Sequence, residues 1–131
     1  MADISVILPT FNEKENILAL IGLISGELRG TDHEILVVDD NSPDGTADAV
    51  KNSGIPSVRL IVRCEMPGYA FSIRRGIEEA RGKMIVLMDS DFNHAPRYVP
   101  RLLEALQEYD VVSASRFLPG GRMTPAWRGV C

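Results

Sequence analysis

The stretch MIVLMDSDFNHAP, residues 84–96, opens with five apolar residues and then sets two carboxylates, Asp89 and Asp91, one residue apart. Its apolar run is unbroken rather than alternating, which is how a strand reads when helices cover both faces of a parallel sheet. Four other runs read the same way: ISVILP (residues 4–9), EILVVDD (34–40), VRLIV (58–62) and DVVSAS (110–115). Helical spacing fills the gaps. Asn12 is the expected N-cap of a first helix, with Glu15 three residues on and Ile17, Leu20, Ile21, Ile24 and Leu28 on one face. Gly22 and Gly26 lie inside it and each costs about 1 kcal/mol relative to Ala, which leaves its end open. Ser42 followed by Pro43 suits the start of a second helix. A third is expected over residues 69–80, with Ala70, Ile73, Ile77 and Ala80 on its stripe. A fourth is expected over residues 96–108, carrying Leu102, Leu103 and Leu106, with Pro100 in its first turn. Strand–helix alternation of this kind is the pattern of an α/β fold, a doubly wound parallel sheet with right-handed crossovers.

The 131 residues make one domain, and 45% hydrophobic with 24% charged content is enough apolar material to bury a core. A net charge of −4 argues against a non-specific nucleic-acid binder, which is usually basic. No apolar run approaches the roughly 20 residues that span a bilayer. MADIS has no basic segment leading into an apolar one, so no secretory signal is evident. Cys64 and Cys131 show no metal-ligand spacing and fit a reducing cytoplasm.

Ligands bind such sheets beyond the carboxyl ends of the strands, and three of those ends carry chemistry: PTFNE (9–13), DDNSPDG (39–45) and DSDFNH (89–94). There is no GxGxxG after the first strand and no GxxxxGK[ST] anywhere, so the common dinucleotide and P-loop readings lose their support. Phe11 can stack on a base and Glu13 can accept hydrogen bonds from base or ribose. Equally, Phe11 can be a core aromatic and Glu13 a first-turn acid favoured by the helix dipole. DDNSPDG fails as a calcium loop, because the twelfth position counted from Asp40 is Lys51 where a bidentate Glu is needed. It reads well as an Asx/Pro turn. Asp89 and Asp91, at i and i+2 of an extended segment, point the same way and can converge on one divalent cation. Hard oxygen ligands suit Mg²⁺ or Mn²⁺. His94 reads as a local hydrogen-bonding residue.

ILVVDDN and VLMDSD resemble the acidic strand ends of a response-regulator receiver domain, in which Asp89 would accept a phosphoryl group and Ser113 or Ser115 would supply a hydroxyl. That family needs a lysine after its fifth strand, and none occurs beyond Lys83. It also leaves the first strand and helix unexplained. VILPTFNEKENI, EILVVDDNSPDGT, ARGKMIVLMDSDFNHAPRYVPRLLEAL and SRFLPGG together resemble the family 2 glycosyltransferases, and within them the polyprenol-phosphate (dolichol-phosphate) mannose synthases.

This resemblance implies a Rossmann-like GT-A fold and inverting transfer of mannose from GDP-mannose to a polyprenyl phosphate, with Mg²⁺ or Mn²⁺ on the diphosphate. It implies that Pro9, Phe11 and Glu13 line the nucleotide pocket, with Val38 and Asp40 beside base and ribose. DSD falls on the DxD motif: Asp89 near ribose and sugar, Ser90 in the same pocket, and Asp91 the metal-holding catalytic residue. Asn93 stands where the family has Gln and would join Asp89 and Asp91 as a metal ligand. Arg116 and Arg128 match basic residues that face the donor diphosphate or the acceptor phosphate. The acceptor, a phosphate already ionised at neutral pH, needs no strong general base. The family's glycine-rich segment after the third strand reads here as CEMPGYAFSIRRG, with Gly68 and Ala70 matching but no basic residue evident before them. The chain stops at Cys131, where the family continues into an acceptor-binding half. Donor binding without turnover, self-association through an uncovered sheet edge, and a cytoplasmic location at the membrane face are the matching expectations. A non-catalytic interaction module is the alternative of a different class.

Overall fold

The computed structural model describes residues 3–90 and 96–110. Four strands, β1 (Ile4–Thr10), β2 (His33–Asp39), β3 (Val58–Val62) and β4 (Met84–Leu87), form one sheet in the order β3-β2-β1-β4, and every neighbouring pair is parallel. The α/β expectation therefore holds. The fifth expected strand, residues 110–115, lies outside the described residues but for Asp110.

The period-2 alternation of a strand decides which side chain meets which layer. Ile4, Val6 and Leu8 of β1, with Ile35 and Val37 of β2 and Val86 of β4, face α1 (Ile17–Glu27), α2 (Thr46–Ser53) and α4 (Val99–Ala105). Ile7, Leu36 and Val38 face the opposite way and meet α3 (Tyr69–Glu79). On α1, Ile17, Leu20, Ile21 and Ile24 are buried as their spacing requires, and the helix runs through both glycines. Pro100 sits in the first turn of α4, where its missing N–H costs nothing.

Three helix features differ from the sequence reading. Asn12 is not an N-cap: at φ 56° it makes a left-handed corner, and α1 begins at Ile17, whose N–H bonds to Glu13 O at 2.9 Å. The second helix begins at Thr46 rather than at Ser42, because Ser42 is drawn back to Asp39 through its N–H (2.9 Å) and its hydroxyl (2.6 Å). The buried stripe of α3 is Ser72 and Gly76, while Ile77 is exposed. Close approach explains this last: a Cβ on Gly76 would lie 2.5 Å from Ile7 Cγ2, so the helix touches the sheet along its smallest residues.

The chain passes from β3 to β4 across β2 and β1 with α3 on the far face. The winding thus reverses between β1 and β4, and the crevice beyond their carboxyl ends is the switch point where ligands of open α/β sheets bind.

Candidate functional site

The residues around that crevice are fixed by hydrogen bonds running from strand end to strand end. Thr10, the last residue of β1, donates its hydroxyl to Asp39 Oδ1 at 2.8 Å, and Asp40 N–H donates to Thr10 O at 3.0 Å. Asn12 N–H reaches Ser42 Oγ at 2.9 Å and Glu13 N–H reaches Thr46 Oγ1 at 3.1 Å, so the β1–α1 turn is held by the β2–α2 loop. Asp44 accepts from the Thr46 hydroxyl, from Thr46 N–H at 2.9 Å and from Lys14 N–H at 3.2 Å. The Thr46 hydroxyl, aided by those N–H groups and the Lys14 charge, holds the Asp44 carboxyl below the usual aspartate value. On the other side of β1, Ser90 is buried and donates its hydroxyl to Pro9 O at 3.0 Å.

Asp40 points into the protein. Its Oδ1 accepts from Arg63 Nη1 at 2.9 Å and its Oδ2 from Gly68 N–H at 2.8 Å. Arg63 is itself buried; it also donates to Met66 O at 2.9 Å and lies over the Phe71 ring at 5.6 Å. It is a basic residue near the segment after β3 which the sequence reading did not single out, and it is turned inward onto Asp40. It stands one residue ahead of CEMPG, as the arginine that ends an apolar run, and that position was the available signal. Tyr69, the first residue of α3, was also missed: its hydroxyl donates to Asp89 Oδ1 at 2.7 Å.

Of the expected site residues, Pro9, Glu13, Asp40, Asp89 and Ser90 all gather at this carboxyl edge. So does Phe11, which is 56% exposed, and its reading as a core aromatic falls. Val38 stands apart: its side chain is fully buried beneath α3 beside Ile7 and Leu36. Asp91, Asn93, Arg116 and Arg128 lie outside the described residues. Among the described residues no three acidic, His or Cys side chains cluster closely enough to hold a metal. The carboxylate of Asp89 at the end of β4, with a second carboxylate two residues on in sequence, is a donor set of hard oxygens that fits Mg²⁺ or Mn²⁺.

The sequence from residue 5 to residue 130 matches the model of "Glycosyl transferase family 2". The chain belongs to this family. With that, the receiver-type alternative falls, and the fold gives the physical reason: β1 is an inner strand bonded to β2 and β4, not an addition to a sheet complete without it. Dolichol-phosphate mannosyltransferase of Pyrococcus furiosus is 39% identical over 122 residues, covering 92% of this chain and 35% of that protein. Undecaprenyl-phosphate mannosyltransferase of Micrococcus luteus is 39% identical over 123 residues, covering 89% and 49%. A mannosyltransferase from Pyrobaculum calidifontis, solved with GDP-Man and Mn²⁺, superposes with a TM-score of 0.71 at 27% identity, covering 81% of this chain and 32% of that one. The chain thus spans half or less of the length of these relatives. No helix among the described residues is long and apolar enough to cross a membrane.

Proposed function

We propose that this chain is the donor-binding core of an enzyme that transfers mannose from GDP-mannose to a polyprenyl phosphate, with inversion at the anomeric carbon. The observation that carries the reading is the crevice between β1 and β4, where Asp89 of the DSD motif lies two residues past the end of β4, and Pro9 and Thr10 end β1 with Phe11 just beyond. Family membership and the mannosyltransferase relatives support the reaction class.

In this reading Phe11 offers its exposed ring as a stacking surface for the base. Glu13, half-buried at the β1–α1 turn, accepts hydrogen bonds from base or ribose. Asp40 acts at one remove, fixing the loop before α3 through Gly68 N–H. Asp89 accepts from ribose or sugar hydroxyls, and Ser90 holds the strand end against Pro9. Asp91, with Asp89 and Asn93, holds Mg²⁺ or Mn²⁺. That cation supplies charge stabilisation to the departing diphosphate. Arg116 and Arg128 face the donor diphosphate or the acceptor phosphate. The acceptor sits in a membrane, and in this reading the protein works at its cytoplasmic face. Self-association belongs to the same proposal: the outer edge of β4 has no strand partner among the described residues, and Ile85 and Leu87 are exposed beside it.

Calorimetric titration of GDP and of UDP, each with Mn²⁺ and with EDTA, tests the reading. GDP is expected to bind in preference to UDP and only with the metal, and Asp91→Ala is expected to abolish the metal dependence. Binding of neither nucleotide would overturn the donor-site assignment, and an equal metal response from Asp91→Ala would overturn the metal assignment.

A further inference from the structure

We propose that Tyr69 is a positioning residue for Asp89, fixing the direction in which that carboxylate meets the donor. The inference rests on the reading of Asp89 as a donor-site carboxylate. The Tyr69 hydroxyl donates to Asp89 Oδ1 at 2.7 Å, linking the first residue of α3 to the end of β4 across twenty residues of sequence. A phenol bonded to a carboxylate at this length is a charge-assisted hydrogen bond, stronger than one between neutral groups.

Both ends of the bond are anchored independently. The backbone before Tyr69 is tied to β2 by Gly68 N–H to Asp40 Oδ2, and Ser72 N–H closes the first turn of α3 onto Gly68 O at 3.1 Å. Asp40 is in turn held by buried Arg63, which also grips the loop at Met66 O. On the other side, the residue after Asp89 is Ser90, fastened to Pro9 O on β1. The Tyr69 ring is more than half exposed, so packing alone does not set its position. The hydrogen bond ties it to the Asp89 carboxylate and favours one side-chain orientation there. The residue acts through Asp89 and needs no contact of its own with the donor.

The test compares wild type, Tyr69→Phe and Asp89→Asn by two readouts. Near-ultraviolet difference absorption follows the phenol: the tyrosine band of the wild type is expected to carry a red-shifted component that is absent from Tyr69→Phe and moves back in Asp89→Asn. Calorimetry follows GDP in the presence of Mn²⁺: removing one hydrogen bond to a charged group is expected to weaken binding about five- to tenfold. The urea midpoint of Tyr69→Phe is expected to fall only slightly, since the bond lies at the surface and the ring is exposed. Equal or tighter GDP binding by Tyr69→Phe, with the wild type binding GDP, would overturn the positioning role and leave the donor site standing. An identical tyrosine spectrum in wild type and Asp89→Asn would also overturn it. Failure of the wild type to bind any nucleotide would remove both readings together.

Discussion

Truncating Arg63 to alanine strands a negative charge inside the protein, and that makes it the sharpest perturbation available. The Arg63 side chain is 6% exposed and that of its partner Asp40 is 12% exposed. Arg63 makes charge-assisted bonds of 2.9 Å to Asp40 Oδ1 and 2.9 Å to Met66 O, and it covers the Phe71 ring. Breaking a buried pair from one side costs about 3–5 kcal/mol, because the remaining charge keeps its desolvation penalty and loses its compensation. Domains are stable by roughly 5–15 kcal/mol in total, so Arg63→Ala is expected to remove a large part of the stability without abolishing the fold. With a urea slope of about 1–3 kcal/mol/M, the midpoint falls by roughly 1–5 M. Asp40→Asn keeps an acceptor for Gly68 N–H and is expected to cost less, about 1–2 kcal/mol. In the double variant no charge is stranded, so its cost falls short of the sum of the two by about 1 kcal/mol or more. Urea denaturation of the four proteins, followed by circular dichroism, gives all three numbers. A loss below about 1 kcal/mol in Arg63→Ala, or additivity within about 0.5 kcal/mol, would refute the buried-pair argument.

Two other outcomes follow from different parts of the molecule. The Asp44 carboxyl, held down by the Thr46 hydroxyl and by the N–H groups of Thr46 and Lys14, should titrate below a free aspartate in a side-chain carboxyl NMR titration. A depressed folded-state pKa means that its contribution to stability is present above the unfolded value and is lost as pH falls through the folded one; titration at the ordinary value would sink this. The outer edge of β4, which has no strand partner among the described residues, should give a mass by light scattering that rises with protein concentration and falls when Leu87, 44% exposed, is changed to Lys; a constant monomer would contradict it.

The strands were readable because burial on both faces leaves an unmistakable mark, an apolar run with turn residues at each end. α1 was readable from its four buried residues for the same reason. What periodicity could not locate were the helix starts. Both were delayed, by a left-handed corner at Asn12 and by Asp39 capturing Ser42, and each depends on a residue about thirty positions away. The stripe of α3 was misassigned because apolar spacing assumes that large residues face the sheet. Here Gly76 makes the contact and Ile77 is exposed. At the site, the acids were visible and their directions were not. Asp40 and Asp89 look alike in sequence as strand-end carboxylates. In the fold, the first is turned inward onto Arg63 and Gly68 N–H, while the second lies at the crevice and accepts from the Tyr69 hydroxyl.

The placement of α3 carries this difference through to function. Two acids of the β2 segment, Glu34 at its start and Asp40 just past its end, each pair with an arginine from the β3 segment. Arg59 Nε lies 3.1 Å from Glu34 Oε1, and Arg63 Nη1 lies 2.9 Å from Asp40 Oδ1. The first pair grips the end of α3: Arg59 donates to Glu79 O, and Glu34 Oε2 accepts from Arg81 N–H at 2.6 Å. The second grips the beginning of α3 through Gly68 N–H and Met66 O. Buried ion pairs of this kind contribute little net stability, since desolvation offsets most of the attraction. What they supply is direction. A helix that rests on the sheet along Ser72 and Gly76 has few bulky side chains to stop it sliding, and paired charges at its two ends fix its register instead. The register of α3 sets where Tyr69 stands, and Tyr69 sets how Asp89 faces the crevice. The arginines spaced four residues apart in VRLIVR are thus part of how a carboxylate on a different strand is aimed.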